Sequence, residues 1–349
     1  MQRIRRARTP GPKFRLARAL ARMNAAGAAQ PTTSFSEEHK LHVICERDVG
    51  LFSLIQQVIA NIPWAISEDR VPIVYFGERT SYWTPNGYMG KDTVWEYYFE
   101  PIVADYPAAT IPDGVRASIA RNFPSQSTPG YFVDERTYVS NHFGDHPLLD
   151  GMALRIPYMT GNPDDALRRQ ASSVVQRFIR PRTYISDKVN EFFDKHMKGE
   201  DLIGVHVRGT DAASEAETRG YRQGSLNLPR YVTELRHLVT ERSGAKILVA
   251  TDEEASLDCL KQAFGSRVIS YNAIRHEGGE VVGRGPTGCI MPAYIGGNPD
   301  RAARNGEEAV IEHLLLARCN HLVHNGASLA TTVLLKEPSM SHTNTHRGA

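Results

Sequence analysis

The sequence predicts an α/β fold made of two units, each a parallel sheet flanked by helices. Three observations carry the prediction. From residue 41 onward, short apolar runs alternate with amphipathic segments of helix length, the pattern of strands joined by helical crossovers. The 349 residues, 41% hydrophobic and 23% charged, suffice for two ordinary domains and are too apolar for a disordered chain. Pro181, between two amphipathic helices, interrupts the helical pattern near the midpoint and reads as a hinge.

The formal charge of +2 is unevenly spread. Residues 1–40 hold nine Lys and Arg against Glu37 and Glu38, a net of +7, and the rest holds 32 basic and 37 acidic residues, a net of −5. A mildly acidic body argues against a nucleic-acid-binding face. The basic arm, with Pro10-Gly11-Pro12 and an Ala-rich stretch, resists packing into a core. It reads as a solvated tail, as a peripheral contact with anionic lipid through a short helix at Phe14–Met23, or as an organellar transit peptide. Cys45, Cys259, Cys289 and Cys319 form no CxxC pair and suggest neither zinc nor a disulfide framework, so a reducing, cytoplasmic setting is expected. No apolar run approaches the roughly 18 residues of a membrane span.

In order, Leu41–Cys45 reads as a strand, Leu51–Ile62 as a helix ended by Pro63, and Val71–Phe76 as a strand. Residues 77–160, rich in aromatics, Pro and Gly, read either as irregular substrate-facing surface or as core with long loops. Asp164–Ile179 and Tyr184–Met197 read as helices on either side of Pro181. Beyond them come strands at Leu202–Val207, Lys246–Thr251, Arg267–Ser270 and His321–His324, and helices at Pro229–Thr240, Glu253–Phe264 and Glu307–Arg318. This half is Rossmann-like. Ile274–Asn305, rich in Gly and Arg, reads as a long loop, either a lid over the site or a surface insertion. The expected organisation is an arm (1–40), an acceptor-side domain (41–180), a donor-side domain (181–340) and a tail (341–349).

Ligands of such sheets bind beyond the carboxyl ends of the strands. Strand 202–207 delivers His206 and Arg208 on one side, with Asp211 just after. Arg208 suits a bidentate grip on phosphate, with Asp211 to orient it; an Arg–Asp pair tying down a loop is the alternative. Strand 246–251 ends in Asp252-Glu253, which reads as a helix cap or as a functional acid. Strand 321–324 leads through Asn325-Gly326-Ala327 to Ser328, where backbone N–H groups and a hydroxyl suit an anion. The sequence contains no GxxxxGK[ST], GxSxG, HExxH or DxD, and the GxGxxG at Gly283–Gly288 lacks a strand–turn–helix setting. Any diphosphate would be neutralised by Arg and helix dipoles in place of a metal.

Arg180-Pro181 ahead of a helix, Ile203–Asp211, Ala250–Glu253 and Glu308–Val323 running into the Ser328 turn resemble the α-1,6-fucosyltransferases, the group of the eukaryotic core fucosyltransferase and nodulation protein Z. The resemblance covers roughly residues 175–335. It implies a GT-B glycosyltransferase, two Rossmann-like domains facing a central cleft, that inverts configuration and needs no metal or other cofactor. GDP-fucose would be the donor and an oligosaccharide or glycolipid the acceptor. Arg208 would hold the β-phosphate beside His206, Ser328 would add a phosphate contact, Glu312 would read the guanine edge, and Asp252 matches an acid required for activity. The expected base position falls on Ala216, between Glu215 and Glu217, and does not choose between them. Gly209 and Ala212 stand where the eukaryotic enzymes carry Arg and Lys, and Ala327 and Leu329 replace a Ser and a Gln. A different GDP-sugar, or a relative that binds without turnover, therefore remain alternative readings.

Overall fold

The computed structural model describes residues 39–125, 128–143, 154, 156, 162–208, 228–277, 282–284, 290–292 and 298–345. The arm through residue 38, residues 209–227 with Asp211, Glu215 and Glu217, and parts of the glycine-rich segment (278–281, 285–289 and 293–297) lie outside the described residues.

The first sheet has the order β2-β1-β4-β3. Its centre is β1 (Lys40–Cys45), apolar enough to be buried from His42 onward. β1 pairs in parallel with β2 (Arg70–Tyr75) and with β4 (Thr137–Ser140), and β3 (Gly130–Phe132) adds an antiparallel edge to β4. Between β1 and β2 runs α1 (Leu51–Ser67), which continues past Pro63 instead of stopping there. The proline removes one backbone donor, but tertiary packing holds the last turn: Trp64 lies edge-on to His42 at 4.8 Å and tilted against Tyr138 at 5.1 Å. Next come α2 (Val94–Tyr98) and α3 (Asp113–Arg121). The aromatic segment that includes α2 is core in its centre: Trp95, Tyr97, Tyr98 and Phe99 are all buried.

Two helices, α4 (Asp165–Phe178) and α5 (Thr183–His196), flank Pro181. The segment between them is pinned, contrary to the hinge expected there. The Glu100 N–H donates to the Arg180 carbonyl at 2.8 Å, and the Arg182 N–H donates to the Tyr98 carbonyl at 2.9 Å.

The second sheet is wholly parallel, in the order β11-β10-β5-β6-β7. Its strands are β5 (Leu202–Val207), β6 (Lys246–Thr251), β7 (Val268–Ile269), β10 (His321–His324) and β11 (Ser341–Asn344). β11 corrects the reading of 341–349 as a tail, since its first four residues pair with β10. The connecting helices are α6 (Leu228–Glu241), α7 (Glu254–Phe264), α8 (Pro299–Leu316) and α9 (Ser328–Lys336), and β8 (Val282–Arg284) and β9 (Ile290–Pro292) form a hairpin. α8 starts eight residues before the expected Glu307. Asn298 caps it, accepting from the Arg301 N–H at 3.0 Å, with Pro299 in the first turn. Ala302, Ala303 and Gly306 leave the buried side of its first half thin, and there the Tyr98 hydroxyl donates to the Ala303 carbonyl at 2.7 Å.

One hydrophobic cluster crosses the chain midpoint, joining Val43, Ile55 and Val58 to Ala330, Val333 and Leu334. The apolar residues of α9 are buried all round, as in a helix enclosed by protein on every side. Among the described residues no helix is long and apolar enough to cross a membrane.

Candidate functional site

β5 lies between β10 and β6. Ile203, Val205 and Val207 point into one core with Tyr231, Leu235, Leu257 and Leu260. By alternation Leu202, Gly204 and His206 take the opposite face, and Arg208 follows on that side beyond the strand end. A Cβ on Gly204 would lie 2.9 Å from Leu316 Cδ2, so this face is the one covered by α8. His206 is buried, its carbonyl accepts from the Tyr231 hydroxyl at 2.9 Å, and its Nδ1 has no hydrogen-bond partner among the described residues. Burial, then the positive charge of Arg208, lowers the imidazole to about 3. His206 is therefore neutral near pH 7 and can bond to a ligand without carrying charge.

The adjacent strand ends are level with it. His324 is opposite His206, and Thr251 is opposite Val207. After β10 the chain turns at Gly326, whose φ of 80° suits glycine. The Gly326 N–H donates to His324 Nδ1 at 2.9 Å, and α9 then begins with no side-chain cap at Ala327. Across the midpoint, α1 likewise begins at Gly50, which has no side chain to cap it, and has no acid in its first turn; the Tyr82 hydroxyl accepts from the Leu51 N–H at 3.4 Å. The two helix starts meet where the Ser53 and Ser328 hydroxyls are 3.0 Å apart and Gln56 Nε2 donates to the Ser328 carbonyl at 3.0 Å. Two helix starts thus lie together after the β10 end, next to the β5 end that leads to Arg208. Ser328 engages Ser53 through the hydroxyl that the sequence suggested for phosphate.

After β6, Asp252 is not the helix cap. Glu253 takes that position, and its carboxylate accepts from the Ser256 hydroxyl at 2.5 Å. The Asp252 carbonyl instead accepts the His276 N–H at 2.8 Å, strapping segment 271–276 over the strand ends. The other side of this strap is gripped by α8. Glu308 accepts the Ile274 N–H at 2.7 Å, and Glu312 accepts Arg275 Nη2 at 3.2 Å. Burial pushes the Glu312 carboxyl up to about 8 against the pull of Arg275, with Glu308 and Asp252 adding repulsion. On the next helical position His313 is buried, held at about 3 by burial, with its ring 5.1 Å from that of Phe52 in the first turn of α1.

His206, Arg208, Asp252, Glu312 and Ser328 thus lie on elements that meet at the strand ends, while Asp211, Glu215 and Glu217 are outside the described residues. Sequence reasoning missed Ser53, Arg275 and His313. The strand–turn–helix signal around Gly50 was available for Ser53, and the two buried acids four apart on α8 pointed to a cation such as Arg275.

No protein-family model matches the chain, and no curated protein matches it in sequence. Among solved structures, POFUT1 in complex with GDP is similar with a TM-score of 0.50 at 13% identity, over 90% of this chain and 100% of that one. The chain shares the fold of POFUT1. The apo form of POFUT1 gives 0.50 at 12% identity over the same shares of each chain, and the fucosyltransferase NodZ from Bradyrhizobium gives 0.46 at 15%, over 85% of this chain and 92% of that one. The mixed α/β architecture with parallel sheets is the GT-B fold expected from the sequence.

Proposed function

We propose that this protein is an inverting, metal-independent glycosyltransferase that moves fucose from GDP-fucose to a hydroxyl of a glycan acceptor. The observation that carries the proposal is that two helix starts, whose cap residues offer no side chain and whose first turns hold no acid, lie together beside the strand end that leads to Arg208. That is a site for a dense anion, and a departing nucleoside diphosphate is one. The fold shared with POFUT1, solved in complex with GDP and with GDP-fucose, supports the same donor.

In this mechanism Glu215 or Glu217 accepts the proton of the acceptor hydroxyl as its oxygen attacks C1 of the fucose. The new C1–O bond forms on the face opposite the diphosphate, the bond from C1 to the β-phosphate oxygen breaks, and the configuration inverts. Arg208, oriented by Asp211, and the starts of α1 and α9 stabilise the charge that builds on the diphosphate. They supply what a divalent cation supplies in other transferases, and no metal enters a step. His206 and Ser328 add donor contacts, Glu312 reads the guanine, and Asp252 stands beside it. The acceptor is an oligosaccharide or glycolipid, and the +7 arm brings the enzyme to the inner, anionic surface of the cytoplasmic membrane.

A thermal-shift and calorimetry panel of GDP-fucose, GDP-mannose, UDP-glucose and ADP-glucose, run in EDTA, tests the donor. GDP-fucose is expected to raise the melting temperature most. A preference for a UDP- or ADP-sugar, or binding that needs magnesium, would contradict the proposal.

A further inference from the structure

We infer that Arg275 is the second base-reading residue of the donor site, forming with Glu312 an adjacent donor–acceptor pair that takes the 6-oxo and 2-amino edge of guanine. The inference rests on the GDP-sugar reading above and adds to it the residue that selects the base.

Arg275 sits in the strap between the β6 end and α8, with only 8% of its surface exposed. A guanidinium carries five N–H donors in a fixed fork. Here Nη2 serves Glu312 Oε1 at 3.2 Å and the Tyr271 carbonyl at 2.7 Å, and Nη1 reaches the Ala273 carbonyl at 3.3 Å. Its Nε is buried and has no partner among the described residues. A buried donor left unpaired is costly, and a ligand that accepts from it recovers that cost. The two backbone bonds fix the fork, so the residue is pre-set beside the carboxylate.

Guanine offers what the pair lacks. Its O6 accepts a hydrogen bond, while N1–H and the 2-amino group donate side by side to one carboxylate. Adenine carries an amino donor where guanine has O6, so the Arg275 N–H would face another N–H. Hypoxanthine keeps O6 and loses only the 2-amino group. ADP therefore probes both residues, since adenine also turns an unprotonated N1 towards the carboxylate, and IDP probes the 2-amino contact of Glu312 alone. The positive charge of Arg275 also favours the ionised carboxylate that accepts both guanine donors, whereas burial opposes it.

The test is calorimetric titration of the full chain with GDP, IDP and ADP, in wild type, Arg275→Met and Arg275→Lys. Wild type is expected to prefer GDP over ADP by roughly tenfold or more, the range of one good bidentate base contact. Arg275→Met is expected to weaken GDP and IDP alike, so that the GDP-to-ADP ratio falls severalfold while the GDP-to-IDP ratio holds, with ADP affinity within about twofold of wild type; the retained ADP binding shows that the site is still folded. Arg275→Lys, which keeps a cation by Glu312 without the fork, is expected to fall between the two. An unchanged GDP-to-ADP ratio in Arg275→Met overturns the assignment, and so does parallel loss of all three nucleotides, which marks a purely structural strap. A wild type that prefers ADP or does not bind GDP overturns the donor reading itself.

Discussion

Gly204 shows how one residue fixes the distance between a strand and the helix that carries part of the site. It lies in the middle of β5 on the face beneath α8, where an added Cβ would be 2.9 Å from Leu316 Cδ2 and 3.1 Å from Cys319 Sγ. Leu316 is fully buried and Cys319 nearly so, leaving neither much room to move. Gly204→Ala is expected to destabilise the fold by about 1–3 kcal/mol, the usual cost of overpacking a tight core, as measured by urea unfolding. A stability within 0.5 kcal/mol of wild type, roughly the scatter of neutral surface changes, would show that α8 yields easily. In the sequence Gly204 is only a glycine inside an apolar run. Which helix it admits depends on a contact more than 110 positions away, and local periodicity carries no record of it.

At the scale of elements, α8 joins the two halves of the chain. Its buried Glu307 accepts from the Tyr88 hydroxyl at 2.8 Å and pairs with Lys188 Nζ at 2.5 Å, linking the aromatic segment to α5. Because Lys188 stays 44% exposed, water can take over its charge if the carboxylate is removed. Glu307→Ala is therefore expected to cost about 1–3 kcal/mol, mostly from the stranded Tyr88 hydroxyl and the lost packing. Tyr88→Phe should cost less, and equal losses in the two variants would argue against this division. Helix α8 also shows the limits of pattern reading. The apolar period from Val310 to Leu316 was legible, but Asn298-Pro299, a cap and first-turn proline, was hidden in glycine- and arginine-rich sequence. Pro63 misled in the opposite direction, because its local penalty is outweighed by aromatic packing far away in the chain. The strand ends with His206, Arg208 and Asp252 were legible because apolar runs give strand positions directly. The strap holding Arg275 was not, since it is neither helix nor strand.

For the whole molecule, buried ionisable groups set the pH range of stability. His206, His313 and His324 are each lowered from 6.5 to about 3, chiefly by burial, so they cost stability as pH falls below 6.5, where the unfolded chain takes up protons that the fold refuses. Glu46 and Glu312 are raised from 4.5 to about 7 and about 8, again by burial. Their contribution is complete below pH 4.5 and is lost as pH rises towards 8. The three histidines outweigh the two acids between pH 4.5 and 6.5, and the acids act alone above it, so stability is expected to peak near pH 6.5. Urea midpoints from pH 5 to 9 measure this, and Glu46→Gln should flatten the fall between pH 6.5 and 7; a peak that stays above pH 8 would contradict the assignment. The same architecture sets two helix starts beside the β5 end that leads to Arg208, and the central claim is that this place carries the charge of a leaving diphosphate. The most direct test is GDP release from GDP-fucose in EDTA, followed by chromatography for wild type and Arg208→Ala. Wild type should release GDP steadily, and the variant should be slower by about 3 kcal/mol in barrier, a factor on the order of a hundred. Arg208→Ala turning over within a few-fold of wild type would contradict the account.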